Sequence, residues 1–216
     1  MTIVSTANTT ADTSAIVADF AGDQQQQQSV QMMIGIGLIK DNDAVYFEYV
    51  GDDQKRAIME ASGKPCTRIG NVRLTGLSVV DDVYSEAGFK GSKINVFVET
   101  QNGHSLLLTA GLTTIWTQCL MTSLMGLYST SSLDHLITIQ TWKGNSKMKP
   151  CFAAVYDGRI KVTDNEMYQA LTDARSDRDY KKTEALIRDA VSVINAELTN
   201  SVLPIPVETE VVETEF

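Results

Sequence analysis

The sequence has no apolar run long enough to span a bilayer, so a helical membrane protein is not expected. Residues 1–30 contain no Lys or Arg and carry Asp12, Asp19 and Asp23. A secretory leader opens on basic residues, so none is expected and the chain reads as intracellular. Cysteine is scarce: Cys66, Cys119 and Cys151 are far apart, form no CxxC pair, and do not combine with His104 and His135 at zinc-ligand spacing. They read as isolated thiols packed like small hydrophobes, and neither metal nor cofactor is expected. The GxxxxGK[ST] phosphate loop, the GxSxG elbow and the HExxH helix are all missing. His104 falls in a turn, and His135 stands beside Asp134 without evident partners, so the chain does not read as an enzyme.

Aromatic residues make up only 7% of the chain, so the position of each is informative. The net charge is −9, which taken alone argues against a nucleic-acid partner. Its distribution argues the other way. Residues 64–163 hold 10 Lys/Arg against 6 Asp/Glu, and both flanks are acidic.

The polar segment 1–30, with the run Gln24–Gln28, cannot bury enough apolar area to offset its ordering entropy and reads as a disordered arm. Residues 31–63 read as a hairpin extension: Ile34, Ile36 and Leu38 alternate, Asp41–Asp43 breaks the chain, and Val45, Phe47 and Tyr49 alternate again. The charged stretch 51–62 that follows is expected to be helical. Thr67–Tyr84 reads as one long strand whose apolar phase changes near Gly76, the signature of a bulge. Lys93–Thr100 and Ser105–Thr109 form a hairpin around Asn102-Gly103. Leu112, Ile115, Trp116, Cys119, Leu120, Ser123 and Leu127 recur at helical spacing, with Trp116 in the core phase. Strands follow at Leu133–Trp142 and Pro150–Tyr156. This order, a long bent strand, two strands, a helix and two more strands, predicts a closed five-stranded OB-fold barrel over 64–163. An amphipathic helical segment at 164–202 packs on it or meets another subunit, leaving open a homo-oligomer. The acidic residues 203–216 read as a disordered tail.

Strand alternation also assigns faces. With Ile94, Val96 and Val98 inward, Phe97 faces out beside Lys93. With Ile137 and Ile139 inward, Trp142 faces out; with Cys151, Ala153 and Val155 inward, Phe152 and Tyr156 face out. Lys143, Lys147 and Lys149 form a basic flap between the last two strands, and Arg68 and Arg73 lie on the long strand. Flat rings flanked by cations are what an unpaired strand requires, because bases stack on aromatics while lysines follow phosphates. The alternative is that Phe97, Phe152 and Tyr156 are covered by the N-terminal hairpin or the C-terminal helix, and that Arg68 and Arg73 are ordinary solvated charges.

The chain ends on Glu208, Glu210, Glu213, Glu215 and Phe216. A basic core followed by an acidic tail ending in Phe resembles the single-stranded DNA-binding proteins of bacteria and tailed phages. The tail departs from the bacterial type in lacking an Asp run and a Pro before Phe216. The resemblance implies sequence-tolerant binding of single-stranded DNA, an acidic tail that recruits replication, repair and recombination proteins, and a place in the cytoplasm of a bacterium or phage-infected host. The competing expectation is a β-barrel structural, virion or scaffold protein that binds no nucleic acid.

Overall fold

The period-two alternation is realised as strands. The computed structural model describes residues 32–39, 43–50, 54–84 and 90–202. They form one sheet of β1 (Met32–Ile36), β2 (Tyr46–Tyr49), β3 (Lys55–Ala57), β4 (Arg68–Tyr84), β5 (Lys90–Thr100), β6 (Ser105–Gly111), β7 (Leu136–Lys143), β8 (Cys151–Asp157) and β9 (Ile160–Val162). The helices are α1 (Ile115–Thr130), α2 (Asn165–Ser176) and α3 (Tyr180–Val202). Across the sheet the order is β3-β2-β1-β6-β5-β4-β7-β8-β9, antiparallel throughout except for the parallel pair β1 and β6.

The expected chain order is present as β4, β5, β6, α1, β7 and β8, but the closed five-stranded OB barrel is not. Closing that barrel would require its two outermost strands, β6 and β8, to meet. Instead β6 pairs along its outer edge with β1, and β8 with β9. Both sealing edges are therefore occupied by strands from outside the five. The stretch 51–62 is also corrected. Its described part holds the edge strand β3 and a turn, with Phe47 opposite Ala57 and an isolated bridge from Met59 to Pro65. A short charged segment without an apolar helical stripe is captured by the open edge of β2. The C-terminal segment divides into two helices, α2 capped by Asp164, whose side chain accepts from the Met167 N–H. The arm at 1–30 and the tail at 203–216 lie outside the described residues.

One face of the sheet carries Val72, Ile94, Val96, Val98, Leu106, Leu108, Ile137 and Ile139, all buried against the helices. α1 lies closest, with Trp116, Leu120, Met121, Leu124 and Leu127 at most 1% exposed. Each large apolar side chain so buried stabilises the fold by about 1.5–3 kcal/mol. Ile187, Ala190, Val191 and Ile194 of α3 complete the same core, on the inner face of an open sheet rather than on the outside of a barrel. The phase change near Gly76 is real: the β4–β5 register slips between Leu74 and Gly76. β7 pairs with β4 only from Arg68 to Arg73. Further along, the Asn195 side chain of α3 takes the place of a strand, accepting from the Leu77 N–H at 2.9 Å and donating to its carbonyl at 2.8 Å.

Although its ladder is open, the sheet coils. Tyr46 of β2 reaches across to β7, where its hydroxyl donates to Thr141 Oγ1 at 2.6 Å. The Trp116 indole N–H donates to the same oxygen at 2.8 Å. Tyr46 and Trp116 are 1% exposed and Thr141 is fully buried. Burial pushes the Tyr46 phenol up, so it stays a neutral donor. No helix among the described residues is long and apolar enough to cross a membrane.

Replacing Thr141 by Val keeps the shape and strands two buried donors. Loss of about 2–6 kcal/mol is expected in denaturant unfolding, since each orphaned donor costs about 1–3 kcal/mol. Wild-type stability would exclude a structural role for this hydroxyl.

Candidate nucleic-acid interface

The helices occupy one face of the sheet, so the strand residues of opposite phase form a second face. The register places Arg68 opposite Gln140, Trp142 opposite Phe152, and Thr138 opposite Tyr156, all with this outer phase. Phe97 stands between Gly76 and Leu107, and Lys93 between Val80 and Gly111, in the same phase. Arg73 lies opposite both Glu99 and Leu136. Phe97, Trp142, Phe152 and Tyr156 do not belong to the helix-covered core. Phe97, Phe152 and Tyr156 are half-buried, and Trp142 is 38% exposed.

These residues form two groups rather than one. Trp142 and Phe152 stack with ring centroids 5.9 Å apart and planes 14° apart. Arg68 and the β7–β8 loop adjoin them, and Tyr156 lies further along β8. Phe97 and Lys93 stand toward the other end of β4, because Phe97 pairs with Gly76 whereas Arg68 marks the Trp142 end. At ~3.3 Å per residue the two ends are separated by roughly 25 Å. Arg73 lies between them, its Nε 3.3 Å from Asp134 Oδ1.

The loop carrying Lys143, Lys147 and Lys149 is tied by two backbone bonds, Gly144 N–H to Pro150 O at 2.7 Å and Lys149 N–H to Ser146 O at 2.9 Å. A Cβ on Gly144 would come within 2.7 Å of Phe152 Cε2 and 3.3 Å of Pro150. Glycine is therefore what lets the Phe152 ring lie between Trp142 and the loop. Lys147 projects into solvent. Lys143 and Lys149 both meet the carboxylate of Asp43, from the β1–β2 connection. The Lys143 ammonium holds that carboxyl below the usual aspartate value.

Residues that the face assignment overlooked extend the surface toward β2. Met33 is 47% exposed and pairs with Leu107 in the phase of Phe97. Tyr49, 41% exposed, packs edge-on against Phe47 at 5.2 Å, and the Lys55 ammonium lies 4.9 Å from the Phe47 ring centroid, so Phe47 itself is buried beneath this edge. The alternation of Phe47 and Tyr49 carried this signal, but nothing in it told that Val45 and Tyr46 would both enter the core. Asp43 had no signal at all.

Two other groups among the described residues are chemically quiet. Ser131 Oγ and Asp157 Oδ2 both meet His135 Nδ1, at 3.0 and 3.1 Å. A nucleophile relay needs its two partners on opposite ring nitrogens, and here they share one. The bonds from His135 and then Ser131 hold the Asp157 carboxyl below its usual value. Burial pushes the Cys66 thiol up to about 11, and it raises Cys119 and Cys151 as well, so none is a thiolate at neutral pH. The tail residues Glu208, Glu210, Glu213, Glu215 and Phe216 lie outside the described residues.

Comparison with family models, with curated proteins and with solved structures gives no match to this chain.

Two outcomes are expected. Gly144→Ala drives a methyl into Phe152, which should cost about 1–3 kcal/mol and change the near-ultraviolet circular dichroism of Trp142. An unaltered spectrum would contradict the clasp. In a carboxyl titration followed by NMR, Asp157 should protonate below the ordinary aspartate value. Its pairing is then present above that range and is lost as pH falls through the depressed value. His135→Ala should move the titration back up, and an unmoved curve would show that His135 is not the cause.

Proposed function

We propose that the helix-free face of the sheet binds single-stranded nucleic acid, DNA foremost, with little regard to base sequence. The observation that carries this reading is the stacked pair Trp142–Phe152, with its partly exposed indole at the end of β7 next to the loop of Lys147 and Lys149, and with Arg68 in the same outer phase on the neighbouring strand. A base laid on the Trp142 ring gains stacking of about 1–3 kcal/mol whatever its identity, because every base has a π-face. Cations bordering the ring suit the phosphates on either side. The long strand β4 supplies a path from this platform toward Phe97 and Lys93, with Arg68 and Arg73 along it. The Arg73–Asp134 pair is exposed on both sides, so it is weak and open to exchange for a phosphate.

The route differs from the groove of a closed barrel. The surface is a sheet face reached from outside, and its aromatic groups stand at the two ends of one strand. In this reading the acidic segment carrying Glu208, Glu210, Glu213, Glu215 and Phe216 recruits replication and repair proteins through its carboxylates and the Phe216 ring. The site of action is then the cytoplasm of a bacterium or infected host.

Oligo-dT should quench tryptophan fluorescence, bind more weakly as salt rises, and outcompete duplex DNA. Trp142→Ala should lower affinity by roughly 5–150-fold, the equivalent of about 1–3 kcal/mol of stacking. A parallel titration with oligo-rU separates DNA from RNA preference. Undiminished binding by Trp142→Ala would move the site elsewhere. Stable self-assembly with no binding of any oligonucleotide would favour a structural protein instead.

A further inference from the structure

We infer that Lys143 and Lys149 form a seat for one phosphate of a bound strand, and that the Asp43 carboxylate fills this seat while no nucleic acid is bound. This deepens the proposed reading of the β7–β8 platform and rests on it.

The two lysines approach different oxygens of one carboxylate, Lys143 at Oδ2 and Lys149, 3.8 Å away, at Oδ1. A phosphodiester also offers two anionic oxygens on one centre, so it can replace the carboxylate without rearranging the ammonium groups. The carboxylate arrives from 100 residues away in sequence, at the start of the segment leading into β2. Its placement is fixed by the hairpin, where the Ile39 N–H donates to Ala44 O at 2.9 Å and the Gly37 N–H to Val45 O at 3.1 Å. Asp43 itself has a φ of 58°, in the left-handed region, where Asp is better tolerated than most residues.

The seat is accessible, with side-chain exposures of 34% for Lys143, 52% for Lys149 and 46% for Asp43. Exposed ion pairs of this kind are weak and screened by salt, so the carboxylate is a displaceable occupant rather than a structural clamp. Lys143 follows Trp142 directly in the chain, and Lys149 ends the loop over Phe152. Lys143 has the opposite phase to Trp142, so the seat lies round the end of β7 rather than on the platform itself, and a strand stacked on Trp142 brings a neighbouring phosphate to it at high effective concentration. The exchange swaps one negative charge for another. The free protein thus keeps two of its lysines partly neutralised, and binding recovers less charge attraction than a count of lysines suggests.

Asp43→Asn removes the internal anion while keeping the shape and tolerating the left-handed backbone. With the full-length chain and oligo-dT at about 0.1 M salt, affinity should rise several-fold. The plot of log affinity against log salt should steepen by about 0.7, the release expected for one further phosphate contact on a single strand. Replacing Lys143 and Lys149 together by Met should cost more affinity in the Asp43→Asn background than in the wild type. A second readout needs no variant: oligo-dT should raise the depressed Asp43 carboxyl titration of the wild-type protein toward its ordinary value. Unchanged or weaker binding by a folded Asp43→Asn protein, or an Asp43 titration unmoved by oligo-dT, overturns the seat. The platform would survive that result so long as the wild type binds and Trp142→Ala weakens it. Absence of wild-type binding overturns both.

Discussion

A single buried hydroxyl joins the parts of this molecule that its backbone ladder leaves apart. Thr141 Oγ1 accepts one hydrogen bond from Tyr46 of β2 and another from Trp116 of α1. β2 and β7 are separated in the sheet by β1, β6, β5 and β4, so no ladder connects them. The coiling that brings them together is instead held by polar side chains in the core, and it places α1 in the concavity. The arrangement tolerates little substitution, because in a dry interior an unpaired donor costs more than a made bond returns. At the end of the same strand, one residue beyond Trp142 and in the phase of Thr141, Lys143 joins Lys149 in a charged contact with Asp43.

This junction also positions the proposed interface. Thr141 points inward, so Trp142 must point outward, and its partner Phe152 is fixed by the β7–β8 register. The latch and the platform are thus consecutive residues on one strand with opposite duties. Charge is arranged in a similar layered way. The chain as a whole is acidic, yet its cations gather in 64–163, and several of these are already paired: Arg73 with Asp134, and Lys143 and Lys149 with Asp43. Exposed pairs of this kind soften a basic surface without abolishing it, so a polyanion meets cations that exchange partners rather than bare charge.

Local features of the fold were legible in the sequence because they depend on local periodicity. The inward set Ile94, Val96, Val98, Ile137 and Ile139, the core phase of Trp116, the slip beside Gly76 and the Asn102-Gly103 turn all follow from alternation, helical spacing or turn chemistry. What was not legible is long-range pairing. Nothing in residues 31–36 announces that β1 will run parallel to β6, and nothing in Ile160–Val162 announces a ninth strand on β8. Those two additions turn an expected closed barrel into an open, coiled sheet. The short stretch at 51–62 failed for a related reason: charge and brevity leave local propensity weak, and the free edge of β2 decides. For the site, alternation gave the face of each ring, but it could not give the separation of Phe97 from Trp142, which follows from how far each strand runs along β4.

The claim with most at stake is that unpaired bases meet the face opposite the helices. Photocrosslinking of the full chain to an oligo-dT bearing 5-iodouracil, followed by peptide mapping, tests it directly. Adducts should fall on the β7–β8 peptides containing Trp142, Phe152 and Tyr156, with fainter ones on the β5 peptide containing Phe97. Adducts confined to α2 and α3, or none at a saturating oligonucleotide concentration, would contradict it.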